Sequence, residues 1–219
     1  MIIYHGSKEI IKYPKVKASN FKNDYGPAFY MTTELSSAKS WACKNGEVGV
    51  VNKYVIDERR FNSLKILDLT DGKLFTVLNW LAILVHFRQF DSTYKTSFVE
   101  KIKWLEKYYI DVNEFDVVKG FRADDAYFRF AKNFINGTIA FEDLETVFKL
   151  GNLGIQYAFI SERAIKLLKF EKIIDCDSSY VGHHYNIVKE ATEIYRKILN
   201  SEGTINKTYI LDLMRKDNE

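Results

Sequence analysis

Proline is nearly missing from this chain, with two residues in 219, and glycine is sparse with eleven. Long flexible or proline-stiffened linkers are thereby excluded, and one domain with at most an appendage is expected. Cysteine is as scarce: Cys43 and Cys176 are too few for a disulfide framework, and no CxxC or Cys/His ligand spacing accompanies them. A reduced, cytoplasmic compartment fits that usage. An excess of one charge is absent too, since 32 basic against 29 acidic residues leave +3. That sum excludes nucleic-acid binding by bulk electrostatics, though not a local basic patch. The most apolar run, Leu74 to Phe87, is shorter than the roughly 18–20 residues a bilayer demands and carries Asn79 and His86. It reads as a buried helix, with no membrane partner. Met1-Ile2-Ile3-Tyr4-His5 offers neither the basic nor the long apolar region of a signal peptide. No Walker loop, GxGxxG, HExxH or GxSxG is present, so the common nucleotide, metalloprotease and hydrolase motifs are set aside.

What the chain does contain is material for a core. Hydrophobic residues make up 47% and aromatic residues 15%, enough to bury a sizeable interior and to argue against disorder. Ile2–Tyr4 reads as a short strand closed by His5-Gly6-Ser7, and Ala28–Thr32 as a second. Residues 8–25 between them read as a short helical turn and a loop. A helix is expected next, with Thr33 as N-cap, Glu34 in its first turn and Gly46 near its end. Its apolar face is Leu35, Ala38, Trp41 and Ala42. Further strands are expected at Gly49–Ile56, Leu64–Leu69, Phe115–Phe121, Ile155–Ile160 and Phe170–Cys176. Helices are expected over 73–90, 96–110, 126–136, 141–149, from Ser161 to Lys169, 184–199 and 204–215. Short strands scattered among helices, without regular βαβ alternation, place the chain in the α+β class.

Three segments carry a resemblance. Tyr4-His5-Gly6-Ser7 is followed by Tyr25-Gly26-Pro27-Ala28-Phe29-Tyr30-Met31-Thr32-Thr33, and then by Ser36-Ser37-Ala38-Lys39-Ser40-Trp41-Ala42. In that order and spacing they resemble the ADP-ribosyltransferases of the His-Tyr-Glu group, which includes diphtheria toxin and poly(ADP-ribose) polymerase relatives. The likeness to an uncharacterised bacterial branch of that fold is closer. It takes in Phe115-Asp116-Val117-Val118-Lys119-Gly120, Ala123-Asp124-Asp125 and Ile155-Gln156-Tyr157-Ala158-Phe159, and covers roughly residues 1–172. The resemblance implies an ADP-ribosyltransferase-like split β-sandwich with helical insertions over residues 1–175, and a C-terminal helical extension over 176–219. It also implies NAD as substrate, no metal, and a macromolecular acceptor that is either protein or nucleic acid. A role as a bacterial toxin component, with a small antitoxin-like partner, extends the same analogy.

His5, at a strand end, can hydrogen-bond a ribose hydroxyl, and Gly6 lets the backbone approach a carboxamide with no Cβ in the way. The resemblance implies both roles and adds Ser7 to the NAD-binding set. Tyr30 would lie against the nicotinamide, whose cationic ring gains roughly 0.5–2 kcal/mol from an aromatic face. Ser37 and Trp41 would complete the pocket. In the His-Tyr-Glu group a glutamate on a later strand binds the ribose 2′-hydroxyl and stabilises the positive charge that develops as the nicotinamide–ribose bond breaks. Gln156 stands at the matching position, so the catalytic set reads His5, Tyr30 and Gln156. An amide can hydrogen-bond a hydroxyl but supplies no charge. That leaves a transferase needing no third carboxylate, a slow enzyme, or a module that has lost chemistry. The first is the reading adopted. Its rivals are a non-catalytic NAD or nucleotide sensor, and an enzyme that moves a 2′-phosphate from RNA to NAD. Gln156→Glu is the informative substitution, with a gain in NAD hydrolysis expected where residue 156 faces the ribose.

Asp124 and Asp125 are candidate auxiliary carboxylates, and as neighbours on a strand end at most one can face a given site. Their ordinary role is a solvated turn or a helix N-cap. Arg122 and Arg129 are candidate phosphate partners. Lys12, Lys15, Lys17 and Lys22 lie between the two NAD segments and could meet the pyrophosphate or a nucleic acid, although solvation is the ordinary role of such lysines. His183-His184 has no further ligands nearby in sequence, so no metal is expected. Cys43 reads as a small buried residue. The tail carries an apolar stripe of Tyr185, Val188, Ala191, Tyr195 and Ile198 and is expected to pack onto the domain.

Overall fold

The computed structural model describes residues 1–16, 22–44, 46–71, 73–88, 96–123, 125–144, 154–200 and 207–217. The strands are β1 (Ile2–Ser7), β2 (Phe29–Met31), β3 (Val50–Val55), β4 (Ile66–Asp68), β5 (Val117–Phe121), β6 (Ile155–Phe159) and β7 (Lys169–Asp175). The helices are α1 (Leu35–Ala42), α2 (Glu58–Asn62), α3 (Leu74–Arg88), α4 (Thr96–Glu106), α5 (Asp125–Asn136), α6 (Glu162–Ile165), α7 (His183–Asn200) and α8 (Ile210–Lys216). The chain is therefore mixed, with strands and helices interleaved irregularly, as the α+β reading expects.

The strands form two sheets. One is antiparallel in the order β1-β3-β7, and the other runs β2-β6-β5-β4, antiparallel except for the parallel β4–β5 pair. Among the described residues a single isolated bridge joins them: Tyr4 N–H donates to Thr32 O at 2.8 Å, and Thr32 N–H to Tyr4 O at 2.9 Å. His5 lies one residue past that joint on β1, and Tyr30 two residues before it on β2.

Side-chain alternation divides the interior. Ile3, Phe29, Met31, Tyr54, Val117 and Phe159 are buried in one cluster drawn from both sheets. On β6, Phe159 and Tyr157 point into that cluster, whereas Ala158 belongs to the larger helical core. That larger core gathers Leu78, Leu81 and Leu84 of α3 with Phe130 and Phe134 of α5. It also takes in Tyr195 of α7 and Ile210 and Leu213 of α8, so the described part of the tail shares the core of the preceding residues. A third, small cluster packs α1 on β3 through Ala38, Ala42, Cys43, Val51 and Cys176. Among the described residues, no helix is long and apolar enough to cross a membrane.

Several boundaries differ from the sequence reading. Residues 8–16 make bends rather than a helical turn, because β3 side chains capture the Ile11 backbone: its N–H donates to Asn52 Oδ1 at 2.7 Å, and its carbonyl accepts from the Tyr54 hydroxyl. The N-cap of α1 is Glu34, not Thr33. Thr32 Oγ1 accepts the Glu34 N–H at 3.1 Å and so fixes the entry one residue later. Ser161 caps α6 as expected, accepting from Ala164 N at 3.0 Å. That helix stops at Ile165, however, because Lys169 is already paired with Val55 in β7. The short α2, capped by Asp57, has no counterpart in the sequence reading. Of the helix expected over 141–149, residues 145–149 lie outside the described part.

Candidate functional site

A cleft of about 530 Å³ opens beside the joint between the sheets. That volume is in the range of small-ligand sites. Its walls include His5 and Gly6 of β1, Phe29 to Met31 of β2, Ser37 and Trp41 of α1, and Gln156 of β6. The segments that carry His5, Tyr30, Trp41 and Gln156 thus converge on one concavity.

One rim is built by the inside of β3. Asn52 is completely buried, a costly place for an amide unless it is fully hydrogen-bonded. Its Nδ2 donates to Ser7 Oγ at 3.0 Å and to Glu9 O at 3.1 Å, while Oδ1 holds Ile11. With Tyr54, it ties down the loop that brings Glu9, Ile11, Tyr13 and Lys15 to the cleft.

His5 and Tyr30 are locked against each other. His5 Nδ1 lies 2.7 Å from the Tyr30 backbone carbonyl, which can only accept, so Nδ1 carries the proton of this hydrogen bond. The imidazole stacks on Phe29 with centroids 4.3 Å apart. The Tyr30 hydroxyl donates to Gly26 O at 2.7 Å and accepts from Tyr25 N at 3.1 Å. Burial, reinforced by the nearby Asp24 carboxylate, drives the Tyr30 phenol far above its ordinary range. Tyr30 is thus held in place by its hydroxyl, with its side chain fixed at the cleft wall.

Gln156 is buried at 8% exposure beside Asp24 at 7%. Gln156 Nε2 donates to Asp24 Oδ2 at 2.8 Å and to Phe121 O at 3.3 Å. Arg88, at the end of α3, donates to Asp24 Oδ1 from Nε at 2.9 Å and from Nη2 at 2.6 Å. The Ala123 N–H completes the set on Oδ2 at 2.8 Å. Beneath them Tyr25 is fully buried. Its hydroxyl donates to Phe121 O at 2.8 Å and accepts from Trp80 Nε1 at 3.1 Å, and burial, then the Asp24 charge, raises its phenol well above the ordinary value. Asp24 and Arg88 were not legible as site residues. An aspartate in an Asn-Asp-Tyr-Gly-Pro turn and an arginine closing an apolar helix are both ordinary in sequence.

The remaining candidates divide. Ser37 and Trp41 line the cleft, and the Trp41 ring lies under two cations, Lys44 Nζ at 3.4 Å and Arg122 Cζ at 4.6 Å from its centroid. Gly6 lines the cleft as well, and its missing Cβ is required where α1 packs on β1. Ser7 is not among the lining residues, and its hydroxyl is engaged by Asn52 and the Glu9 carbonyl. Asp124 lies outside the described residues, and Asp125 opens α5 with a side chain outside the described part. Of the four lysines Lys15 reaches the cleft, Lys12 and Lys22 are exposed elsewhere, and Lys17 lies outside the described residues. Arg122 is at the cleft, whereas Arg129 is exposed on α5. Among the described residues no group of three His, Cys, Asp or Glu side chains could hold a metal ion.

Residues 1–170 match the sequence model of a family described as "Protein of unknown function (DUF3990)". No curated protein and no solved structure matches the chain.

Proposed function

Since the chain belongs to the DUF3990 family, whose description names no activity, we propose from the cleft itself that the protein binds NAD and transfers its ADP-ribose to a macromolecular acceptor. The observation carrying this reading is the meeting of His5, Tyr30 and Gln156, from three strands in two sheets, around one cleft. The arrangement supports the ADP-ribosyltransferase-like fold that the sequence resembles: two small sheets joined at β1 and β2, with the ligand at the joint.

In this reading His5 Nε2 accepts a ribose hydroxyl, its tautomer set by the Tyr30 carbonyl. The Tyr30 ring lies against the nicotinamide, held in place by Gly26 and Tyr25. The C1′–nitrogen bond breaks with its electron pair leaving on nicotinamide. A lone pair of the acceptor then forms the new bond to C1′, and the acceptor's proton passes to solvent. Orientation of the acceptor beside C1′ supplies a large part of the rate. The cations at the cleft, Lys15, Lys44 and Arg122, suit the pyrophosphate. A non-catalytic NAD sensor is the second reading, favoured by the uncharged amide at residue 156.

The test is incubation of the purified protein with labelled NAD and a cell lysate, beside His5→Ala checked for an unchanged melting curve. Free nicotinamide, and label on macromolecules that the variant fails to produce, are the expected results. An RNA 2′-phosphate assay separates the phosphotransferase alternative. Tight NAD binding without release or transfer favours the sensor, and no NAD binding overturns the proposal.

A further inference from the structure

The resemblance places a glutamate where this chain has Gln156, and the surroundings of that side chain explain the exchange. Its amide nitrogen faces two groups that can only accept, the Asp24 carboxylate at 2.8 Å and the Phe121 carbonyl at 3.3 Å. A carboxylate in the same place would meet both with no proton to offer. Two carboxylates at such a separation cannot both stay ionised. Asp24 thus excludes an ionised glutamate side chain at this position of β6, and the expectation that Gln156→Glu raises NAD hydrolysis is reversed.

Asp24 is also held as an anion should be. Oδ1 takes both Arg88 donors and Oδ2 takes the Ala123 N–H and the Gln156 amide. With Nε2 committed, Oε1 is the end of the Gln156 amide left to accept from a ligand hydroxyl. An amide whose N–H donates to a carboxylate is a stronger acceptor at its oxygen, because hydrogen bonds in series polarise one another. Both residues line the cleft.

We propose that Asp24 and Gln156 form a transposed pair: Asp24 carries the negative charge that the β6 position lacks and delivers it to the ribose through the Gln156 amide, held in orientation by Arg88. The inference rests on the NAD reading above. Asp24 is a positioning residue in this scheme, since its oxygens are engaged by Arg88, Ala123 and Gln156. Gln156 is the catalytic contact.

A charge-swap cycle tests it. Wild type, Asp24→Asn, Gln156→Glu and the double variant Asp24→Asn/Gln156→Glu are compared for NAD affinity, kcat and KM for NAD cleavage, and melting temperature. Each single variant should lose about a hundredfold in kcat, the scale of a lost transition-state hydrogen bond, with KM changed far less. The double variant restores one carboxylate and one amide to the pair and should recover at least tenfold over either single. Gln156→Met, near in shape and uncharged, covers the case in which the single variants fold poorly, and should lose kcat while melting near wild type. An active wild type whose double variant is no better than the two singles combined overturns the pair, as does full activity in Gln156→Met. Both results leave the NAD reading standing. A wild type that binds NAD without cleaving it overturns the catalytic role, and one that binds no NAD overturns both proposals.

Discussion

A Cβ on Gly6 would stand 2.0 Å from the carbonyl oxygen of Ala38 and 2.9 Å from the backbone nitrogen of Ala42. Both atoms belong to the backbone of α1, which cannot swing aside as a side-chain tip can. The glycine is what lets the helix carrying Ser37 and Trp41 lie directly on β1. Overpacking a tight interior typically costs roughly 1–3 kcal/mol. Gly6→Ala is expected to reach the upper end of that span and to lower the melting temperature by roughly 2–4 °C per kcal/mol in a chain of this size. Differential scanning calorimetry reads this without any ligand. A melt unchanged from wild type would show that α1 is not seated directly on β1.

Tyr30 offers a finer test, because its ring and its hydroxyl have different duties. The hydroxyl ties β2 to Tyr25 and Gly26, next to the turn that carries Asp24. Tyr30→Phe keeps the aromatic face and frees both partners, so it is expected to cost about 0.5–1.5 kcal/mol of stability. It should weaken NAD binding only several-fold, whereas Tyr30→Ala should weaken it by an order of magnitude or more. Isothermal calorimetry on the two variants checks the order. Equal effects would mean that the ring does not meet the ligand.

Much of this architecture was legible in the chain, and the reasons differ by element. The apolar alternation of β3 and β5 and the Ser161 cap of α6 are local signals, and they appear close to where the pattern places them. His5, Tyr30 and Gln156 came from a resemblance in segment order, and the fold brings all three to one cleft. Asp24 and Arg88 were invisible because their meaning is tertiary: they are 64 residues apart and become a pair only when α3 ends beside the 22–28 turn. The setting of Ser7 is tertiary in the same way. Its place at a strand end is local, but the buried Asn52 that engages its hydroxyl comes from another strand. Gly6 was read for a ligand's close approach, and the fold adds a second demand that only tertiary packing shows, the close approach of α1.

The buried hydroxyls and thiols set an alkaline limit. In the unfolded chain a cysteine ionises near 9.0 and a tyrosine near 10.0. In the fold, burial and then the neighbouring Cys43 thiol push Cys176 up to about 12, and burial also raises the phenols of Tyr25 and Tyr30. Above pH 9 the unfolded state has released protons that the folded state still holds, so stability falls as pH rises. This contribution is fully present below pH 9.0 and lost progressively toward about 12. Urea titrations at stepped pH should show the decline, and tyrosinate absorbance should lag behind that of the denatured chain. The same burial predicts that Cys43 and Cys176 ignore a thiol reagent in the native protein and react at once when it is unfolded. Rapid native labelling would contradict the packing of α1 against Cys176.

The family match ends at residue 170, yet residues beyond it are built into the core. Ile210 is fully buried and Leu213 nearly so, within the cluster that holds Phe130 and Phe134. Phe141 N–H donates to Thr208 O at 2.8 Å, Thr208 N–H to Glu142 at 2.9 Å, and Lys207 pairs with Asp143 at 2.9 Å. Trp104 Nε1 on α4 reaches Asp217 at 2.7 Å. Ile210→Ala should therefore cost roughly 2–5 kcal/mol, as buried isoleucine truncations do. Removing residues 207–219 should cost at least as much. No residue of α8 lines the cleft, so protein that remains folded at low temperature should bind NAD with unchanged affinity. Melting curves and calorimetry on the truncated chain decide the matter together. A stable truncated protein would make residues 1–206 self-sufficient, whereas an unstable one with intact affinity would show that the tail completes the helical core on which β5, β6 and Gln156 are laid.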